Sequence, residues 1–191
     1  MAECLKNKQD LRVFNIDYNA IGVLGATKLA EQLKNNYGLS KFYCDDNNIG
    51  GEGCEKLSEC MEMMDSLKKL CLENNKIEDR GAIALSKALE ENDTLLSLHL
   101  DNNNIGRNGA FALGAMIANK YKLSKLNLNN NPITDEGFTK IAKGIQDIET
   151  LRIITLANTL ISNQSMTALS KALSNKRFLT KLVLDNCKIG S

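Results

Sequence analysis

Leucine recurs at positions 11, 39, 67, 95, 123, 151 and 179, always 28 residues apart. A strict period of this length rules out most folds, because every unit must place the same residue types in the same local structure. Overlaying the units gives LxxLxLxxNxIxxxGxxxL, as in LKKLCLENNKIEDRGAIALSKALEENDT at 67–94 and LLSLHLDNNNIGRNGAFALGAMIANKYK at 95–122. No insertion or deletion interrupts the register. The pattern predicts one repeat domain over 1–191: a partial repeat at 1–10, six full repeats over 11–178, and a partial seventh at 179–191.

Within each unit, counting the leading leucine as position 1, positions 4 and 6 are apolar: Phe14/Ile16, Phe42/Cys44, Leu70/Leu72, Leu98/Leu100, Leu126/Leu128, Ile154/Leu156 and Leu182/Leu184. Alternation of this kind predicts a short strand with one buried face. Apolar residues return at positions 16, 19, 20 and 23, as in Ala110, Leu113, Gly114 and Ile117, which is helical spacing. Position 15 is Gly25, Gly53, Gly81, Gly109 and Gly137, with Ser165 in the sixth unit. Glycine there serves either a close backbone approach or a special dihedral.

Strand, right-handed crossover and helix, repeated, generate a parallel sheet backed by a helical layer. Strands stack about 4.8 Å apart and helices about 8–10 Å apart. The stack must therefore bend, with the sheet inside. The expected fold is an α/β solenoid: a horseshoe with a concave parallel sheet and convex α-helices. On these motifs the chain resembles the ribonuclease-inhibitor-like class of leucine-rich repeats over essentially its whole length. Its uniform units depart from ribonuclease inhibitor, which alternates two repeat lengths. They look more like the generic cytosolic members, which include Ran GTPase-activating protein and tropomodulin-type repeats.

Position 9 reads Asn19, Asn47, Asn75, Asn103, Asn131, Thr159 and Cys187. Where the chain bends out of each strand, backbone groups lose their sheet partners. A buried amide, with two donors and an acceptor, satisfies them and stacks into a ladder. Asn102 and Asn104, at positions 8 and 10, are expected to be solvated turn residues.

Positions 2, 3, 5, 7 and 8 point onto the concave face or its rim. Position 3 gives a broken basic band, with Lys41, Lys69 and Lys125 in it; position 7 gives an acidic band of Asp17, Asp45, Glu73 and Asp101. Between them, at position 5, lie Tyr43, Cys71, His99 and Asn127. The expected protein-binding patch is this central row with its flanking charges. Tyr43 is the only aromatic of the row, Tyr18 on the rim is a second candidate, and aromatics are favoured interface anchors. Thiol, imidazole and amide on three adjacent strands mimic a cysteine-hydrolase constellation. An open sheet, however, provides no helix N-terminus to lower the thiol pKa and no oxyanion donors. No catalytic residue, metal or cofactor is expected. Ile83, Ala84, Phe111, Ala112 and Ala115 make two helices unusually apolar, which helix-to-helix packing would explain.

Lys and Arg total 24 against 23 Asp and Glu, so no global field favours nucleic acid or anionic lipid. No apolar run approaches a membrane span. Six scattered cysteines with no metal-ligand spacing point to a reducing, cytoplasmic setting. Residues 2–10 align with 30–38, and the sequence stops soon after its seventh strand. The expectation is continuation of the array beyond both termini, or end-to-end association. The expected function is a non-catalytic scaffold binding a protein partner through the concave face. The alternatives are a regulator of a small GTPase, or a structural subunit of a cytoskeletal or ciliary assembly.

Overall fold

The computed structural model describes Leu5 and residues 8–190; the partial repeat read at 1–10 lies largely outside them. Seven three-residue strands alternate with helices: β1 Val13–Asn15, β2 Lys41–Tyr43, β3 Lys69–Cys71, β4 Ser97–His99, β5 Lys125–Asn127, β6 Ile153–Thr155 and β7 Lys181–Val183. The helices are α1 Gly22–Leu33, α2 Gly50–Met61, α3 Glu78–Ala88, α4 Arg107–Ile117, α5 Asp135–Ile145 and α6 Met166–Leu173, the last preceded by a 3-10 turn at Asn163–Ser165. All strands join one parallel sheet in chain order β1 to β7. Each residue pairs with the one 28 positions on, as in Leu70↔Leu98↔Leu126. The chain is an α/β leucine-rich-repeat solenoid.

The core lies between sheet and helices, and the repeat pattern dictates it. From the strands, Phe42, Leu70, Leu98, Leu126 and Ile154 are fully buried; from α4, Ala110, Leu113 and Ile117 meet them. Position 15 is glycine because neighbouring helices approach closely there. A Cβ on Gly137 would sit 2.8 Å from the Ala110 Cβ of the preceding unit. Where Ser165 replaces it, the side chain is buried and its hydroxyl donates to the Asp135 carboxylate. The apolar residues Ile83 (46% exposed) and Phe111 (54% exposed) are not consumed by helix packing. They project from the convex surface because adjacent helices meet along the row of small residues instead. Lys140 Nζ lies 4.9 Å from the centre of the Phe111 ring.

Amides hold the bends after each strand. Asn103 is fully buried; its Nδ2 donates to the carbonyls of Leu72 (2.8 Å) and Asp101 (3.1 Å), and its Oδ1 accepts the Asn75 N–H (3.0 Å). Asn47, Asn75 and Asn131 are buried and repeat the donor half of this arrangement. Asn19 makes the same local bonds but is exposed, since no described strand lies before β1 to cover it. Thr159 donates to the Leu156 carbonyl, and the Cys187 thiol lies 3.3 Å from that same oxygen, each doing part of the amide's work.

The turn residues follow from backbone geometry. Position 8 has φ between 53° and 62° in every unit, and five of its seven residues are asparagine: Asn74, Asn102, Asn130, Asn158 and Asn186. A short polar side chain tolerates this left-handed conformation best after glycine. A further device joins the units at the helix starts. Asp79 accepts the backbone N–H groups of Gly106 (2.7 Å) and Gly109 (2.9 Å), so it caps α4 from the preceding unit. Asp135 does the same for the turn before α6 by accepting the Ser162 N–H (2.8 Å).

Candidate functional site

Tyr43, Cys71, His99 and Asn127 lie side by side on β2 to β5 in direct register. The period of the sequence is what brings them together. Each stands between a position-3 and a position-7 residue on the same face, and the contacts along this row are specific.

Tyr43 is half-buried, and the Lys69 ammonium lies 4.7 Å from its ring centre. A cation over an exposed ring contributes about 0.5–1 kcal/mol, enough to bias one orientation of the phenol. His99 is the hub. Its Nδ1 is 3.1 Å from Glu73 Oε1, and its Nε2 is 2.8 Å from Ser97 Oγ. Asn127 Nδ2 sits 3.3 Å from the same Nδ1, while Asn127 Oδ1 is buried without a partner. A ring nitrogen that donates to the carboxylate cannot also accept from the amide, so Glu73 and Asn127 compete for Nδ1.

Two members of the expected patch are not surface groups. Cys71 is 3% exposed and Asp101 is 6% exposed. Cys71 is flanked in register by the longer Tyr43 and His99. Burial, with Asp45, Glu73 and Asp17 nearby, pushes its thiol up to about 12 despite the opposing Lys69 charge. A thiol so held is protonated at neutral pH and is a poor nucleophile. Asp101 folds down onto the next strand end, where its Oδ1 accepts the Asn129 N–H at 2.6 Å.

The same bond explains much of the acidic band. Asp17 Oδ1 accepts the Asp45 N–H and Asp45 Oδ1 accepts the Glu73 N–H, both at 2.7 Å. The band is a second ladder, parallel to the asparagines, in which Asp17, Asp45 and Asp101 each satisfy an amide of the following unit and Glu73 turns to His99 instead. Holding several carboxylates in one row is electrostatically adverse. Burial and the charge of Glu73 raise Asp101 to about 6; burial, Glu73 and Asp17 raise Asp45 to about 6 against the hydrogen bond it receives. Glu73 alone is held low, first by its hydrogen bond to His99.

Lys41 and Lys125 are exposed, and Lys69 is half-buried beside Tyr43. Sequence reasoning missed Ser97. Its signal was the break in the lysine row two residues before the chain's only histidine, on the same strand face. Ser97, His99 and Glu73 form a chain of hydrogen bonds, but the Ser97 and Leu100 N–H groups are engaged with Lys68 and Asn127 carbonyls. Those two amides are therefore not available to stabilise an oxyanion. Among the described residues, no group of three or more His, Cys, Asp or Glu side chains is placed to hold a metal ion. No described helix is long and apolar enough to cross a membrane.

Comparison with known proteins adds the following. The family model for Leucine Rich repeat matches residues 7–30, 45–58, 65–86, 91–114 and 122–142, more than half of the chain. No curated protein sequence matches. Among solved structures, the fold is similar to Leiomodin-1 Actin-Binding Site 2, with a TM-score of 0.60 at 17% identity, covering 92% of this chain and 89% of that one. It is also similar to the tropomodulin C-terminal domain of Caenorhabditis elegans, with a TM-score of 0.63 at 17% identity, covering 76% and 89%.

Proposed function

The chain belongs to the leucine-rich repeat family, and from that premise we propose that it is a non-catalytic protein-recognition scaffold that takes a protein partner on its concave sheet. One observation carries the reading. Seven strands in strict register present side chains on a preformed face, and the ladders along its border fix that face before any partner arrives. Preorganisation of this kind lowers the ordering cost of association. Tyr43, His99 and Asn127 form the centre, with Lys41, Lys69 and Lys125 on one side and Asp45 and Glu73 on the other. Cys71 and Asp101 act beneath it as supports. Cys44, Cys54, Cys60 and Cys71 are buried free thiols, which supports a reducing, cytoplasmic setting.

A photo-cross-linking side chain placed at 41 or 125 should capture one partner from native extract, and the same group at the convex positions 24 or 111 should not. Equal capture from both faces would refute the concave site.

A cytoskeletal role is the second reading, favoured by the similarity of the fold to Leiomodin-1 Actin-Binding Site 2. Co-sedimentation with filamentous actin tests it. Recovery in the pellet that Lys125→Glu abolishes would support the role, and a chain left wholly in the supernatant would remove it.

A further inference from the structure

We infer that the partner presents an acidic, extended stretch of polypeptide to the lysine row of the concave sheet, a refinement that rests on the recognition role proposed above. The two charge bands that border the face are not equivalent. The acidic band is engaged within the chain: Asp17, Asp45 and Asp101 each accept a backbone N–H from the neighbouring unit, and Glu73 accepts from the His99 ring. One oxygen of each of these four is thereby committed to contacts within the fold, and Asp185 at the end of the band is exposed.

The lysines are in the opposite situation. Lys41, Lys125 and Lys181 are exposed, and their side chains make no hydrogen bond or ion pair with another described residue. Lys69 lies over the Tyr43 ring on the same face. On the adjoining rim, Lys68 and Arg152 are also exposed. The lysine row therefore offers ammonium groups that no carboxylate of the described residues pairs with, set apart along the strand direction from the position-7 carboxylates, although the whole chain is near neutral, at +1. Complementary charge on a partner is attracted there and like charge is repelled.

Spacing narrows the form of the ligand. Ser97 and Ile153 interrupt the row, so Lys69, Lys125 and Lys181 recur on alternate strands, about 10 Å apart. A polyproline-II segment turns once every three residues and rises about 3.1 Å per residue, so every third side chain returns to one side after about 9 Å. Acidic residues at that interval would meet successive lysines while the chain crosses the strands. Tyr43, Ile153 and Val183, all half-buried, supply apolar contact beneath it.

The test is fluorescence anisotropy at low salt with a labelled peptide of repeating Glu-Pro-Pro. Its comparators are a repeating Lys-Pro-Pro peptide and a single-stranded oligodeoxynucleotide. The Glu peptide should bind, and added salt should weaken it. Lys41→Glu, Lys125→Glu and Lys181→Glu combined should reduce affinity by about tenfold or more. The same charge change on exposed convex lysines, Lys28→Glu, Lys87→Glu and Lys171→Glu, should leave it within about twofold. Equal loss from both variants, equal binding of the Lys peptide, or tighter binding of the oligonucleotide through the same lysines would each overturn the inference. Concave cross-links to a partner with no acidic segment would remove this refinement and leave the recognition role standing.

Discussion

Asn103→Ala isolates the device that shapes the concave face. In the folded chain the Asn103 amide reaches four backbone groups: the carbonyls of Leu72 and Asp101, and the N–H groups of Asn75 (3.0 Å) and Ile77 (3.4 Å). Alanine leaves three of them stranded, since the Asp101 carbonyl keeps the Asn74 N–H at 3.0 Å. A buried polar group left unsatisfied costs about 1–3 kcal/mol, and the losses do not add fully. The vacated space is polar on several sides, so a water can enter and recover part of the loss. The expected net cost is about 3–4 kcal/mol. With a urea dependence of about 2 kcal/mol per molar, the unfolding midpoint should fall by roughly 1.5–2 M. The assay is equilibrium urea unfolding read by far-ultraviolet circular dichroism and by tyrosine fluorescence together, because repeat arrays can lose cooperativity. Asn103→Leu separates hydrogen bonding from volume: it fills the site but satisfies nothing, so it should be at least as damaging as alanine. An unchanged midpoint for alanine, or a leucine variant restored to the parent value, would refute the ladder.

Other consequences follow from particular contacts. Asp101 is raised from 3.8 to about 6, so its ionisation opposes folding: its favourable contribution is complete below pH 3.8 and is lost as pH rises through 6. Asp101→Asn keeps an acceptor for the Asn129 N–H and should stabilise the chain by about 1–3 kcal/mol at pH 8, with the gain vanishing below pH 4 in urea titrations; destabilisation at pH 8 would contradict this. Glu78 has φ of 56° where the equivalent residues of the first two units are Gly22 and Gly50. Glu78→Gly should therefore raise stability by about 0.5–1 kcal/mol, visible as a higher melting temperature and contradicted by a lower one. Cys71 should react with a thiol reagent at pH 7 far more slowly than free cysteine, as its burial and raised pKa require; labelling at the free-cysteine rate would reopen the nucleophile reading.

The architecture was legible in the sequence because one period fixes three things together: strand position, sheet register and helix face. His99 beside Asn127 follows from the spacing of 28 alone. The finer behaviour of the face was not legible, since it depends on what stands next door. Cys71 looks outward by alternation, yet it is buried between its longer neighbours in register, Tyr43 and His99. Asp101 counts as a surface charge in a one-dimensional reading, but the next strand end offers an N–H within reach. Ser97 carries no signal by residue type; only its place between Lys69 and Lys125, two residues from a histidine, marks it. Asp79 and Asp135 cap helices of the following unit, a contact 27 to 30 residues away in sequence that local capping patterns cannot show.

Competition between two faces tests the central claim most directly. Partner capture from native extract would be quantified for Tyr43→Ala with Asn127→Ala, and for Ile83→Ala with Phe111→Ala on the convex surface. Removing central anchors of an interface typically costs about 2 kcal/mol or more, so the concave pair should lose roughly 30-fold or more in captured partner while the convex pair retains it. Full capture by the concave pair, with loss from the convex pair, would contradict the account.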